Sequence, residues 1–127
     1  MTKSLNDLAH TIHQRNIAKG FYESKKSRPE LLMLIVGEVA EACEADRKDQ
    51  YADRLAFDRE LGVGTGNEDE FKTLFELYIK NTFEDEVADS IIRLLDLCDY
   101  YGIDIEYFIE QKMRYNLTRP HKHGKKY

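Results

Sequence analysis

Apolar residues recur along most of this chain at intervals of three and four, the repeat of helices with one face turned inward. Residues 4–24 carry Leu8, Ile12, Ile17 and Phe21, spaced about one helical turn apart, behind Ser4 and Asp7 as a capping pair. Ser27-Arg28-Pro29-Glu30 matches a capping box with an early proline, and predicts a second helix running through LLMLIVGEVAEACEADRK to about Lys48. Residues 49–81 are less regular. There the turn signal Gly62-Val63-Gly64-Thr65-Gly66-Asn67 separates short helices around 51–60 and 68–80. Thr82 caps a third long helix that stops at Gly102, and Ile103-Asp104 opens a fourth that fades before Pro120. No period-two alternation is long enough for a sheet. The expectation is an all-α protein: a helical bundle of four main helices, with 49–81 as a helical insertion between the second and third.

The second helix is apolar on two sides. Leu31, Leu34, Ile35, Ala42 and Ala45 share one face, and Leu32, Val36, Val39 and Cys43 form the other. It should therefore be buried on most sides, and so few helices with two apolar faces imply that oligomerisation completes the bundle, as a homodimer or a dimer of dimers. Composition fits one folded domain over residues 1–127: 42% hydrophobic and 34% charged residues are too apolar for disorder. Cys43 and Cys98 lie in apolar runs, outside any CxxC pair, as small core residues of a reducing compartment. No apolar run approaches the ~20 residues that span a membrane, and MTKSLNDLAH lacks an apolar leader. These features together point to the cytoplasm.

The net charge of −5 hides an asymmetry. Residues 112–127 (KMRYNLTRPHKHGKKY) carry +6 with no acid, which leaves −11 on residues 1–111. An acidic body repels the backbone of duplex nucleic acid, whereas an acidic body with a basic end suits a ligand that holds both cations and phosphates. A solvated tail is the plainer alternative.

Two acids break the first apolar face of the second helix. Glu38 and Glu41 lie one turn apart in line with Leu31, Leu34 and Ile35, where an unpaired charge costs several kcal/mol. Such a pair needs a cation, and hard oxygen ligands favour Mg²⁺, with Mn²⁺ as a substitute. The alternative is a basic side chain at a partly exposed interface. The third helix repeats the spacing in Glu86 and Asp89, beside an apolar stripe of Val87, Ala88, Ile91, Leu94, Leu95 and Cys98. Alone, that pair suits a helix N-terminus through the macrodipole. Antiparallel packing of the two helices would gather four carboxylates, which cannot all stay ionised without divalent cations.

Glu38-Val-Ala-Glu41 followed by Glu86-Val-Ala-Asp89 resembles the ExxE…ExxD signature of the MazG-like all-α nucleoside triphosphate pyrophosphohydrolases. The longer strings LLMLIVGEVAEACEADRK and FEDEVADSIIRLLDLCDYYGID are similar to that family's two metal helices, and Lys112-Met-Arg-Tyr-Asn116-Leu-Thr-Arg119 to the KxxxNxxR element that follows. The resemblance covers about half the chain, residues 29–48 and 82–125. Ala18-Lys19-Gly20-Phe21 extends it loosely into the first helix. It departs in the 44 residues between Glu41 and Glu86, an interval longer than the family's usual one.

The resemblance implies that Glu38, Glu41, Glu86 and Asp89 are catalytic metal ligands. They would bind Mg²⁺ across the triphosphate of a nucleotide, so that water attacks phosphorus and releases nucleoside monophosphate and pyrophosphate. It assigns Lys112, Asn116, Arg119 and Lys125 to the phosphates. Which carboxylate orients the water stays open, with Glu41 the first candidate. Other readings are a related phosphohydrolase acting on phosphoribosyl-ATP or an alarmone, or a non-catalytic helical binding module. Of the remaining groups, His13 and Asn16 read as surface positions, His121 and His123 as solvated, and Tyr100, Tyr101 and Phe108 as core packing. The glycines of 62–67 lack the Lys-Ser/Thr of a phosphate-binding loop and read as a turn.

Overall fold

A computed structural model describes residues 3–127. The protein is all-α: α1 (Leu5–Ala18), α2 (Arg28–Arg47), α3 (Arg54–Val63), α4 (Glu68–Tyr78), α5 (Phe83–Tyr100) and α6 (Ile105–Leu117), then a short 3-10 turn at His121–Gly124. There is no strand among the described residues. Among the described residues no helix is long and apolar enough to cross a membrane.

Local chemistry sets most helix starts. The side chains of Ser4, Ser27, Asp53, Asn67 and Asp104 accept the backbone N–H three residues on, satisfying a donor that the first turn leaves unpaired. Thr82 Oγ1 does the same for Asp85 N at 3.3 Å. The stop at Gly102 holds, with the glycine at φ +65 just past the end of α5. The first helix is shorter than its apolar spacing suggests. It ends at Ala18, and Gly20 at φ +87 turns the chain away before Phe21, which is 58% exposed.

The chain divides into two compact units, Lys26–Arg93 and Met1–Lys25 with Leu94–Tyr127, the boundary falling inside α5. In the first unit, α2 and α5 run antiparallel: Phe83 N donates to Gln50 O at 2.8 Å, while Arg93 reaches back to Glu38. Between them α3 and α4 form a helical hairpin around Phe57, Phe71 and Phe75, with Ala56 and Leu74 buried. Its turn is tight. Glu70 accepts from Thr65 N and Oγ1 at 2.8 and 2.6 Å, and its carboxylate occupies the space that a side chain at Gly64 would need.

In the second unit, Asn6 ties α1 to the start of α6, donating to Asp104 and Glu106 and accepting from Ile105 N. α1 also lies along the end of α5, where His10 and His13 meet Asp99 and Asp96.

The burial pattern corrects the expected faces. α2 is buried in this chain along one side only, at Leu31, Ile35, Ala42 and Ala45. Leu32, Val36 and Val39 are about half exposed and Cys43 is exposed, so Cys43 is not a core residue. In α5 the expected stripe is divided. Leu95 and Cys98 are buried, but Val87, Ala88, Ile91 and Leu94 face outward, and Thr82, Glu86 and Ser90 are buried in their place. In α5 the physical reason is that Glu86 and Ser90 occupy the inner face, so the apolar residues that alternate with them fall outside; in α2 the inner row is itself apolar and the second apolar row faces away from it. Phe108, 57% exposed, is likewise not core.

Candidate metal centre

The antiparallel course of α2 and α5 brings their acids to one place. Glu38, Glu41 and Glu86 each offer an oxygen within 4.8 Å of the others, and so do Asp85, Glu86 and Asp89. Glu86 belongs to both sets. All four acids singled out from the sequence are present, joined by Asp85. Glu38 and Glu41 lie in the middle of α2, Asp85 and Glu86 in the first turn of α5 and Asp89 one turn further on, and helical spacing of three keeps Glu38 with Glu41 and Glu86 with Asp89 on one face.

Electrostatics separates the members. Glu86 is only 6% exposed, and its Oε2 is buried without a hydrogen-bond partner. Burial, hydrogen bonds with Glu41 and Glu38, and the charges of Glu41 and Asp89 push its carboxyl up to about 7. Burial raises Asp89 too, reinforced by the charges of Asp85, Glu38 and Glu41 and opposed by Arg93. Glu38 goes the other way. Burial alone would raise it, but hydrogen bonds with Arg93 and Glu86 and the Arg93 charge prevail and hold it below its ordinary value. Arg93 Nε donates to Glu38 Oε1 at 2.8 Å.

One arginine cannot balance this set. The oxygens are hard donors, they are close enough to share a cation, and the orphaned Glu86 Oε2 is a buried acceptor that no described side chain satisfies. The residues therefore fit a hard divalent cation.

In the other unit, Lys112, Asn116 and Arg119 follow the expected face of α6 and its end. Lys112 and Arg119 both lie over the Tyr115 ring, 5.1 and 5.7 Å from its centroid. Arg119 also donates to His123 O at 3.2 Å. Asn116 Oδ1 is buried without a partner, and Lys125 is exposed beyond the final turn. His121 and His123 are exposed, as read.

Two features escaped the sequence reading. Asp85 sits in the run Glu84-Asp85-Glu86, where acids at a helix start need no further explanation, so its place beside Glu86 and Asp89 carried no separate signal. The second is a buried polar network. His13 is 7% exposed rather than a surface residue, because its Nδ1 pairs with Asp96 at 2.7 Å. The Tyr22 hydroxyl donates to the other oxygen of Asp96, and burial together with that bond pushes the phenol well above its ordinary value. Tyr100 packs against both rings, with centroids 4.8 Å from Tyr22 and 5.5 Å from His13. The chain matches no family model, and no curated protein or solved structure is similar to it.

Proposed function

We propose that this protein is a Mg²⁺-dependent nucleotide pyrophosphohydrolase, cleaving a nucleoside triphosphate to nucleoside monophosphate and pyrophosphate. The observation that carries the cation part of the reading is Glu86: nine-tenths buried, orphaned at Oε2, and surrounded by carboxylates from two helices. The choice of substrate rests on the resemblance of these same helices to the MazG-like family. Glu38, Glu41, Glu86 and Asp89 hold the cation, and Asp85 lies beside Glu86 and Asp89 as a further carboxylate in the first turn of α5. When bound, Mg²⁺ supplies Lewis acidity toward a phosphoryl oxygen and lowers the pKa of a coordinated water. Glu41, the exposed member of the set, is the carboxylate best placed to orient a water from solvent. Lys112, Asn116, Arg119 and Lys125 are assigned to phosphate contacts on the resemblance.

The reading includes a partner. Val36 and Val39 on α2 are 53% and 54% exposed and Ile91 on α5 is 51% exposed, apolar surface that a second copy of the chain would cover. A homodimer is the simplest such assembly, a dimer of dimers the next, and the cytoplasm the compartment that suits a nucleotide substrate.

Hydrolysis in ¹⁸O-labelled water with a panel of nucleoside triphosphates tests the reaction. Mg²⁺-dependent release of pyrophosphate supports it. Release of orthophosphate as the only labelled product replaces it with a simple triphosphatase.

A further inference from the structure

Among the described residues Arg93 is the one basic side chain paired with the acid cluster, and its role there is not used up by the ion pair it makes. Its Nε engages Glu38 at 2.8 Å, while the side chain stays 40% exposed. A guanidinium carries five N–H donors in a planar fork, and the four on the terminal nitrogens have no partner among the described residues. Glu38, by contrast, is 15% exposed and belongs to the set that fits a cation. Arg93 therefore stands at the edge of the cluster, anchored through one nitrogen and open through the other two. A purely structural counter-ion gains most by offering a carboxylate two parallel bonds, and Arg93 offers Glu38 one.

We propose that Arg93 is a phosphate-binding residue of this site. It holds Glu38 through Nε and presents its terminal amino groups to a phosphate group bridged to the cation. The inference rests on the reading of the acids as a cation site. It adds to that reading a contact from α5 itself, carried by a residue outside the ExxD spacing. An anion of the pyrophosphate class is the chemistry recognised, because its closely spaced oxygens can reach a cation and a fork of donors together.

Two binding measurements on the full chain test this, with Mn²⁺ as the cation and inorganic pyrophosphate as the anion. Free Mn²⁺ is followed by its paramagnetic resonance, and pyrophosphate binding at saturating Mn²⁺ by calorimetry. In Arg93→Met, Mn²⁺ affinity should be unchanged or raised, since a positive charge has left the neighbourhood of the site. Pyrophosphate affinity should fall by ~10-fold or more, the loss expected for a charge-assisted contact. Arg93→Lys, which keeps the charge without the fork, should fall between and serves if the Met variant does not fold. Equal pyrophosphate affinity in wild type and variants overturns the proposal. So does a parallel loss of Mn²⁺ affinity, which would make Arg93 a positioning residue for Glu38. A wild-type protein that takes up no Mn²⁺ overturns the cation reading itself, and the inference with it.

Discussion

Replacing Glu86 with Gln keeps the shape of the side chain and removes the charge at the centre of both acid sets. Glu86 titrates at about 7 in the folded protein against 4.5 for an ordinary glutamate, first through burial and then through Glu41, Glu38 and Asp89. A carboxyl whose folded pKa is raised binds its proton more tightly in the native state. Its stabilising contribution is complete below about pH 4.5 and is lost as pH rises through about 7. At 1.36 kcal/mol per unit, the full displacement corresponds to about 3.4 kcal/mol. That is an upper bound, because no large side chain among the described residues is fully buried and solvent screens the acids. About 1–2 kcal/mol is the expected loss, or roughly 5 °C in melting temperature for a chain of this length. The assay is thermal melting of wild type and Glu86→Gln in EDTA at about pH 5 and about pH 8, repeated with millimolar Mg²⁺. At the higher pH the variant should melt above the wild type, and at the lower pH the two should nearly coincide. Mg²⁺ should raise the wild type at the higher pH by linkage and leave the variant almost unmoved. The difference between the two proteins at each pH is the quantity read. A variant that melts below the wild type at both pH values would refute the reasoning, since Glu86 would then be a stabilising, satisfied carboxylate.

Val39→Glu, in the middle of the outward face of α2, should shift the proposed dimer to monomer in size-exclusion chromatography with light scattering, at unchanged helix content. A dimer that survives the change excludes this face as the interface. Asp96→Ala leaves His13 and the Tyr22 hydroxyl without their buried acceptor and should cost about 2–4 kcal/mol in urea denaturation. A cost under about 0.5 kcal/mol would mean that water replaces the carboxylate freely. Arg119→Ala should lower kcat/KM for the nucleotide by ~10²-fold, while Lys122→Ala, off the face shared by Lys112, Asn116 and Arg119, should change it little. Equal effects would return the segment to a solvated tail.

Helix identity was legible in this sequence because caps are local. Ser4, Ser27, Thr82 and Asp104 each needed only the residue three positions on, and Gly102 only its own freedom at positive φ. The acid pairs were legible for the same reason: i,i+3 spacing fixes a face without reference to the rest of the chain. What spacing cannot say is which face turns inward. α5 carries Val87, Ile91 and Leu94 on one side and Glu86, Ser90 and Arg93 near the other, and an apolar stripe is normally assigned to the core. Here the polar side is the one covered within the chain. Pairings over long separations were equally hidden. Glu38 finds Arg93 55 positions away, and His13 finds Asp96 83 positions away, so neither bond leaves a trace in local pattern.

The hairpin α3–α4 is pinned where it leaves and rejoins the long helices. Phe83 N donates to Gln50 O at 2.8 Å, Ala52 N to Glu84 Oε1 at 3.0 Å and Asp53 N to Tyr78 O at 3.0 Å. Asp49 and Asn81, both at positive φ, make the two corners, a conformation their short polar side chains tolerate. A segment closed at its neck in this way transmits little of its own length or motion to the helices on either side. Loop closure grows only as the logarithm of length, so the segment can be lengthened, shortened or exchanged at small energetic cost while the corners stand. The neck thus makes the hairpin a replaceable cassette. Variation in its sequence can be accommodated without disturbing the spacing between Glu41 and Glu86, on which the acid cluster depends.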